Sequence, residues 1–204
     1  LPNGVIDRRH SPKIAEARDR SICTLTVLVE KHKPSRLRQQ PYRVICSDAT
    51  GELELVFFHA RSEYLIGLLP EGETRVISGK VEYFHGKKQI SHPDHIVKED
   101  DAESIRRVEP TYPLTAGLTS KPLNKAIGGA LGLIPELEEW QDISWLRKND
   151  WPSWRQSLMR VHNPESEKDN DPQCPARARL AYDEFLADQL ALALVRKSQR
   201  SIPG

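Results

Sequence analysis

The sequence predicts an α+β fold: a five-stranded β-barrel followed by a mainly helical region that ends in one long helix. Three observations predict it. Apolar and polar residues alternate in four short runs between Ile22 and Tyr83, and a fifth run, Lys88 to Val97, follows by a hairpin, as half-buried strands require. A short amphipathic segment, Tyr64 to Leu69, falls between the third run and the fourth. Beyond Val97 the alternation stops, and prolines, helix-capping residues and a final amphipathic stretch from Ala176 to Arg200 replace it.

Leu1 to Arg20 is basic and irregular, with Asp7-Arg-Arg-His10 near its start. The first strand is Ile22 to Glu30, with Leu25, Val27 and Val29 on one side and Thr24, Thr26 and Glu30 on the other. Lys31 to Gln40 is too polar to pack and reads as the link to the second strand. The second and third strands, Tyr42 to Ser47 and Leu53 to Phe58, hairpin through Asp48-Ala-Thr-Gly-Glu52, where Gly51 is free to take positive φ. Tyr42, Val44 and Cys46 share the buried face with Leu53, Leu55 and Phe57. After the short helix and the break at Pro70-Glu-Gly-Glu73, Arg75 to Tyr83 hairpins through Phe84-His-Gly-Lys87 into Lys88 to Val97. Three strands, a short helix and two strands is the chain order of the OB-fold, a barrel that commonly binds oligonucleotides on its second and third strands, between loops L12 and L45. A generic small β-barrel fits the same order.

The expected organisation is a basic N-terminal segment (1–20), the barrel (21–98), a proline-containing linker with short helices (99–175) and the long helix (176–204). Pro110-Thr-Tyr-Pro-Leu-Thr115 is stiff and extended. Thr119 caps a helix from Lys121 to Leu131, and Ser153 caps one from Trp154 to His162 with Trp154, Leu158 and Val161 on one face. The last helix carries Leu180, Phe185, Leu186, Leu190, Leu192 and Leu194 on a wide apolar side that needs a packing partner.

Of the 204 residues, 38% are hydrophobic and 29% charged, which suits a soluble protein with a modest core. No apolar run approaches the ~18 residues of a membrane span, and no secretory leader opens the chain, so a cytoplasmic protein is expected. The absent initiator Met points to a piece of a longer chain. Cys23, Cys46 and Cys174 are far apart in sequence and read as reduced thiols, two of them buried in strands. The formal net charge of +1 hides an asymmetry. Residues 1–45 hold ten Lys/Arg against four acids, net +6, while residues 98–150 hold seven against ten, net −3. The positive charge therefore falls on the first half of the barrel, where a phosphate-tracking surface needs it.

Catalytic chemistry is not legible. Gly79-Lys80 is followed by Val81 and Gly86-Lys87 by Lys88, so neither has the hydroxyl and leading glycine of a phosphate-binding P-loop. His92-Pro-Asp-His95 has a metal-like spacing without a third ligand cluster, and residues three apart on a strand face opposite ways. His59 with Glu63 lacks a nearby nucleophile or second carboxylate.

Several stretches together resemble the RecG-type ATP-dependent DNA helicases: Leu1-Pro-Asn-Gly-Val-Ile-Asp-Arg-Arg9, Phe57-Phe-His59, His92-Pro93, Tyr112-Pro-Leu-Thr-Ala-Gly-Leu118, and the run from Arg179 to Arg196. The resemblance covers nearly the whole chain. It implies a bacterial protein of DNA repair and recombination that remodels stalled replication forks and Holliday junctions. Ile22 to Val97 would be its wedge domain and the remainder the linker to the motor. Branched DNA is then the expected partner, and a monomer without membrane contact the expected state. ATP and magnesium would serve a motor beyond these residues, leaving this stretch without cofactor or catalysis.

In that family an aromatic side chain of the wedge is thought to stack on bases at the branch, and Phe57/Phe58 and Tyr64 match that position. The alternation separates them: Phe57 shares the core face with Leu53 and Leu55, whereas Phe58 follows Glu54 and Val56 on the outer face. The expected nucleic-acid set is therefore Phe58, Tyr64, Lys31, Lys33, Arg36, Arg38, Arg43, Lys87 and Lys88. Two other classes stay open. Asp-x-Thr-Gly before an apolar strand also resembles the anticodon-binding OB domains of class II tRNA synthetases, and a protein-interaction module would leave the basic link without a nucleic-acid role.

Overall fold

The structure, a computed structural model, describes residues 1–34, 40–58 and 60–200. It divides into two compact units: Ile6–Val108, and Leu1–Val5 with Glu109–Gly204.

The first unit holds the barrel. After a short strand β1 (Gly4–Asp7), the strands are β2 (Ile22–Lys33), β3 (Tyr42–Asp48), β4 (Gly51–Phe57), β5 (Thr74–Phe84), β6 (Lys87–Ser91) and β7 (His95–Lys98), with helix α1 (Ser62–Leu68) between β4 and β5. β2 serves two neighbours. Its first half pairs antiparallel with β5 (Ile22 opposite Lys80, Leu28 opposite Thr74) and its second half with β3 (Lys33 opposite Arg43). β3 pairs with β4, β4 runs parallel to β6, and β6 returns antiparallel to β5, closing a five-stranded mixed barrel. That is the OB arrangement expected from the strand order.

Alternation sorts residues as expected. Leu25, Val27, Val29, Val44, Cys46, Leu53, Leu55, Ile77, Val81 and Ile90 fill the interior, and Leu65 and Leu69 from the α1 region join them. Each such side chain contributes about 1.5–3 kcal/mol on burial, so this cluster is the main source of the barrel's stability.

Four details differ from the expectation. Strand β2 continues through Lys31, His32 and Lys33, because the backbone pairs with β3 whatever the side chains are. A register shift between Val29 and Lys31 accompanies the extension. Gly51 does not use positive φ. Instead Asp48 closes the turn, its Oδ1 accepting from the Thr50 and Gly51 amides. The run from Lys88 to Val97 is two strands, broken at His92, whose φ is 48°. Both lie along one edge of β5, and the close passage there explains Gly79: a Cβ would meet Ile90 at 2.7 Å and the Pro93 backbone at 3.4 Å. Lastly, the N-terminal segment is not irregular throughout. Beyond β1, Ile14–Glu16 forms a 3-10 turn whose Ile14 and Ala17 enter the barrel core. Asp48 accepts from the Ile14 amide at 2.8 Å and Thr50 Oγ1 from the Ala15 amide at 3.0 Å, so the unit begins well before residue 21.

The second unit contains helices α2 (Ser120–Leu131), α3 (Ile143–Lys148), α4 (Trp154–His162) and α5 (Pro175–Arg200); strand β8 (Val108–Thr111) precedes them. Ser153 caps α4 as expected, accepting from the Gln156 amide. Thr119 precedes α2 but makes no side-chain cap bond. The α3 helix, capped by Asp142, lacked a recognisable period in sequence. Val161, Ala176 and Leu180 form a small core with Trp154, Leu158 and Cys174 against it. Arg179 is fully buried, held by Glu139 at 2.6 and 3.1 Å and by Asp183 at 2.8 Å. Of the apolar series on α5, Leu180 is buried, Leu186 half-buried, and Phe185, Leu190, Leu192 and Leu194 exposed.

Candidate nucleic-acid interface

Register places the candidate residues. Residues directly opposite in paired strands share a face, and four pairings line the outward side of the sheet: Lys33 with Arg43, Arg43 with Val56, Lys31 with Ile45, and Ile45 with Glu54. Lys31 and Lys33 are exposed and Arg43 half-buried, while Ile45, Glu54 and Val56 are buried beneath them. The parallel β4–β6 pair extends it through Gln89 and Ser91. This is the outward side of β2, β3, β4 and β6, the face an OB barrel offers to an oligonucleotide.

A carboxylate organises its centre. Glu54 is 6% exposed, with Oε2 accepting from Arg43 at 2.8 Å and Oε1 from Lys87 at 2.8 Å. Burial, the largest single influence on the Glu54 carboxyl, raises its pKa. The hydrogen bonds and charges of Lys87 and Arg43 outweigh it and hold the group below its usual range. Arg43 and Lys87 thus stand on the predicted face but share one internal counter-charge. Lys31 and Lys33 carry no such partner among the described residues. Arg36, Arg38 and His59 lie outside the described residues.

Lys88 is a correction to the expected set. Alternation turns it to the opposite side of β6 from Lys87, and its ammonium donates to the carbonyls of Ile14 and, at 2.7 Å, Ala15. It pins the N-terminal 3-10 turn to the barrel and also lies over the Tyr83 ring at 5.3 Å.

Phe57 is core and Phe58 is 47% exposed, as the alternation required. Phe58 sits just past β4 at the end of the outer face. Its amide donates to His92 Nε2 at 3.1 Å, and its ring stacks on the His92 imidazole with centroids 5.7 Å apart at 29°. The left-handed backbone at His92 aims the imidazole there. No short-range sequence signal reveals this, since the partners are 34 residues apart. Tyr64, 64% exposed on the first turn of α1, makes no ring contact among the described residues. Sequence reasoning missed Glu54 and His92; an acid at an outward strand position between basic neighbours was the available hint for the first.

Fold and face together define the class: an OB-fold protein whose outer strand face carries exposed lysines and ends in an exposed, histidine-backed aromatic. The family model described as the RecG wedge domain matches residues 1–134, and the chain belongs to that family. An "ATP-dependent DNA helicase RecG" of Acidithiobacillus ferridurans is 30% identical over 208 residues, covering 97% of this chain and 28% of the relative. The protein of that name in Aquifex aeolicus (strain VF5) is 24% identical, covering 97% and 26%. A solved structure described as RecG bound to a three-way DNA junction superimposes with a TM-score of 0.75 at 20% identity, over 98% of this chain and 27% of that one. The chain therefore spans under a third of the length of these relatives, and the last likeness shows the fold. A synthetase anticodon-binding domain is not favoured by any of them.

Proposed function

We propose that this chain is the branched-DNA-binding part of an ATP-dependent helicase that remodels stalled forks and Holliday junctions. The observation that carries it is Phe58, a large ring left half exposed at the end of a lysine-bearing barrel face and supported from behind by His92. A wedge has two tasks at a branch point: to hold phosphates and to cover a base that has lost its stacking neighbour. Lys31 and Lys33 serve the first, with Arg43 and Lys87 available when phosphate competes with Glu54. Phe58 serves the second and Tyr64 adds a further exposed ring nearby in sequence. The chain acts as a monomer, turns over no ATP itself, and leaves nucleotide and magnesium binding to the motor of the longer protein. No described helix is long and apolar enough to cross a membrane, in keeping with a protein that works on DNA in the cytoplasm.

Base–aromatic stacking is worth about 1–3 kcal/mol per base, so Phe58→Ala weakens binding to a three-way fork roughly tenfold and leaves linear duplex binding unchanged. Equal losses on fork and duplex, with an unaltered melting curve, would overturn the assignment.

A further inference from the structure

The tip of the β5–β6 hairpin carries a second exposed ring. Phe84 is 50% exposed and pairs across the hairpin with Lys87. The connecting residues, His85 and Gly86, have φ of 49° and 77°, the turn geometry whose twist matches paired strands and fixes a tip in place. The His85 ring packs edge-on against Phe84 with centroids 4.2 Å apart. A lone exposed phenylalanine is unexceptional; its position is what matters. Cross-strand pairing with Lys87 puts Phe84 on the same outer face as Lys87, Glu54 and Arg43.

Phe58 and Phe84 bracket that face. In the parallel β4–β6 register Glu54 lies level with Gln89, so Lys87 is level with Glu52, six residues before Phe58. At about 3.3 Å per residue the two rings stand roughly 20 Å apart along the strands. An arm that keeps the stacked geometry of one duplex strand, ~3.4 Å per nucleotide, covers that distance in about six nucleotides, within the range of about 4–16 that one OB barrel engages.

We propose that Phe84 is a second base-stacking residue, taking a base of the single-stranded arm about six nucleotides from the branch base held at Phe58. The strand between them crosses Arg43 and Lys87. The proposal rests on the fork-binding reading above and adds a reach to it: the chain distinguishes forks by the length of their unpaired arm.

The test uses the full chain and two forks, one with a single-stranded arm of about ten nucleotides and one with an arm about three long, too short for the spacing derived above. Phe84→Ala and Phe84→Leu both weaken binding to the long-armed fork roughly tenfold and leave the short-armed fork unaffected; Phe84→Tyr restores the difference. Phe58→Ala weakens both forks. A fluorescent adenine analogue moved along the arm is quenched at the branch and again about six positions away, and Phe84→Leu removes only the second quench. Phe84 variants that affect both forks equally, or neither, overturn the proposal while sensitivity at Phe58 leaves the fork-binding reading standing. A wild-type chain that prefers neither fork over duplex overturns both.

Discussion

Glu54 shows how a single side chain can set both stability and charge. Its folded pKa lies below the unfolded value near 4.5, so its contribution is fully present above about pH 4.5 and is lost as pH falls through the lower folded value. Glu54→Gln should flatten the acid limb of the stability curve, read by urea unfolding between pH 3 and 7. The same change frees Arg43 and Lys87, so fork affinity at low salt should rise, and the slope of log K against log salt should steepen by up to about 0.9 for each released cation that meets a phosphate. An unchanged slope would show that neither reaches DNA. His162 is the opposite kind of group. Burial first, then the positive N-terminus and Arg177, depress its pKa below 6.5, and its Nδ1 meets the Tyr112 hydroxyl at 2.8 Å. The neutral ring suits the fold, so stability is whole above about pH 6.5 and declines as pH drops through that value, until the ring is protonated in the folded state too. The decline should be absent in His162→Gln, compared by thermal melting at pH 7.5 and 5.5.

At the scale of elements, β2 and α5 each do something their composition conceals. Lys31 and Lys33 belong to a paired strand rather than a loop, so their side chains project at fixed spacing. If each neutralises one phosphate, Lys31→Ala with Lys33→Ala should reduce the magnitude of the salt slope by about 1.8 without altering the melting temperature. In α5 the buried Arg179 binds the segment around Glu139 to the helix through two charge-assisted bonds, and a third, to Asp183 four residues on in the same helix, holds the guanidinium in place. Removing it strands two carboxylates, one of them almost fully buried, and a broken buried pair costs about 3–5 kcal/mol. Arg179→Ala should lose that much in urea unfolding of the helical unit; a loss near zero would mean water replaces the guanidinium without penalty.

Each of the two units has buried apolar clusters of its own among the described residues, and the tryptophans offer a way to see the units apart. All four, Trp140, Trp145, Trp151 and Trp154, lie in the helical unit, so tryptophan fluorescence follows that unit alone. Leu55 is fully buried in the barrel, and Leu55→Ala should cost about 2–5 kcal/mol there. The expected outcome is earlier opening of the barrel amides, read by native-state hydrogen exchange, with an unmoved fluorescence transition, and the reverse for Arg179→Ala. Coincident shifts of both signals in each variant would show one cooperative unit instead.

Unlike β1, β8 and the break that makes β7 a separate strand, the five barrel strands, the short helix after the third of them, the Ser153 cap and the final long helix were legible in sequence. Each follows from local rules: alternation marks which side of a strand is buried, and capping chemistry marks where a helix begins. Phe57 and Phe58 could be told apart by the same alternation. The chain's pattern could not show that Lys31 and Lys33 continue β2, since strand pairing is made by backbone groups that side-chain polarity does not report. Nor could it show that Lys88 is occupied with the carbonyls of Ile14 and Ala15, more than seventy residues away, or that Arg43 and Lys87 converge on one buried carboxylate. The support of Phe58 by His92 depends on a left-handed backbone where the last run of the barrel breaks in two. Sequence determined the elements and their inward faces because those are properties of neighbours along the chain. Which charges remain free, and which ring stands supported at the end of the barrel, was decided only when closure of the barrel brought distant residues together.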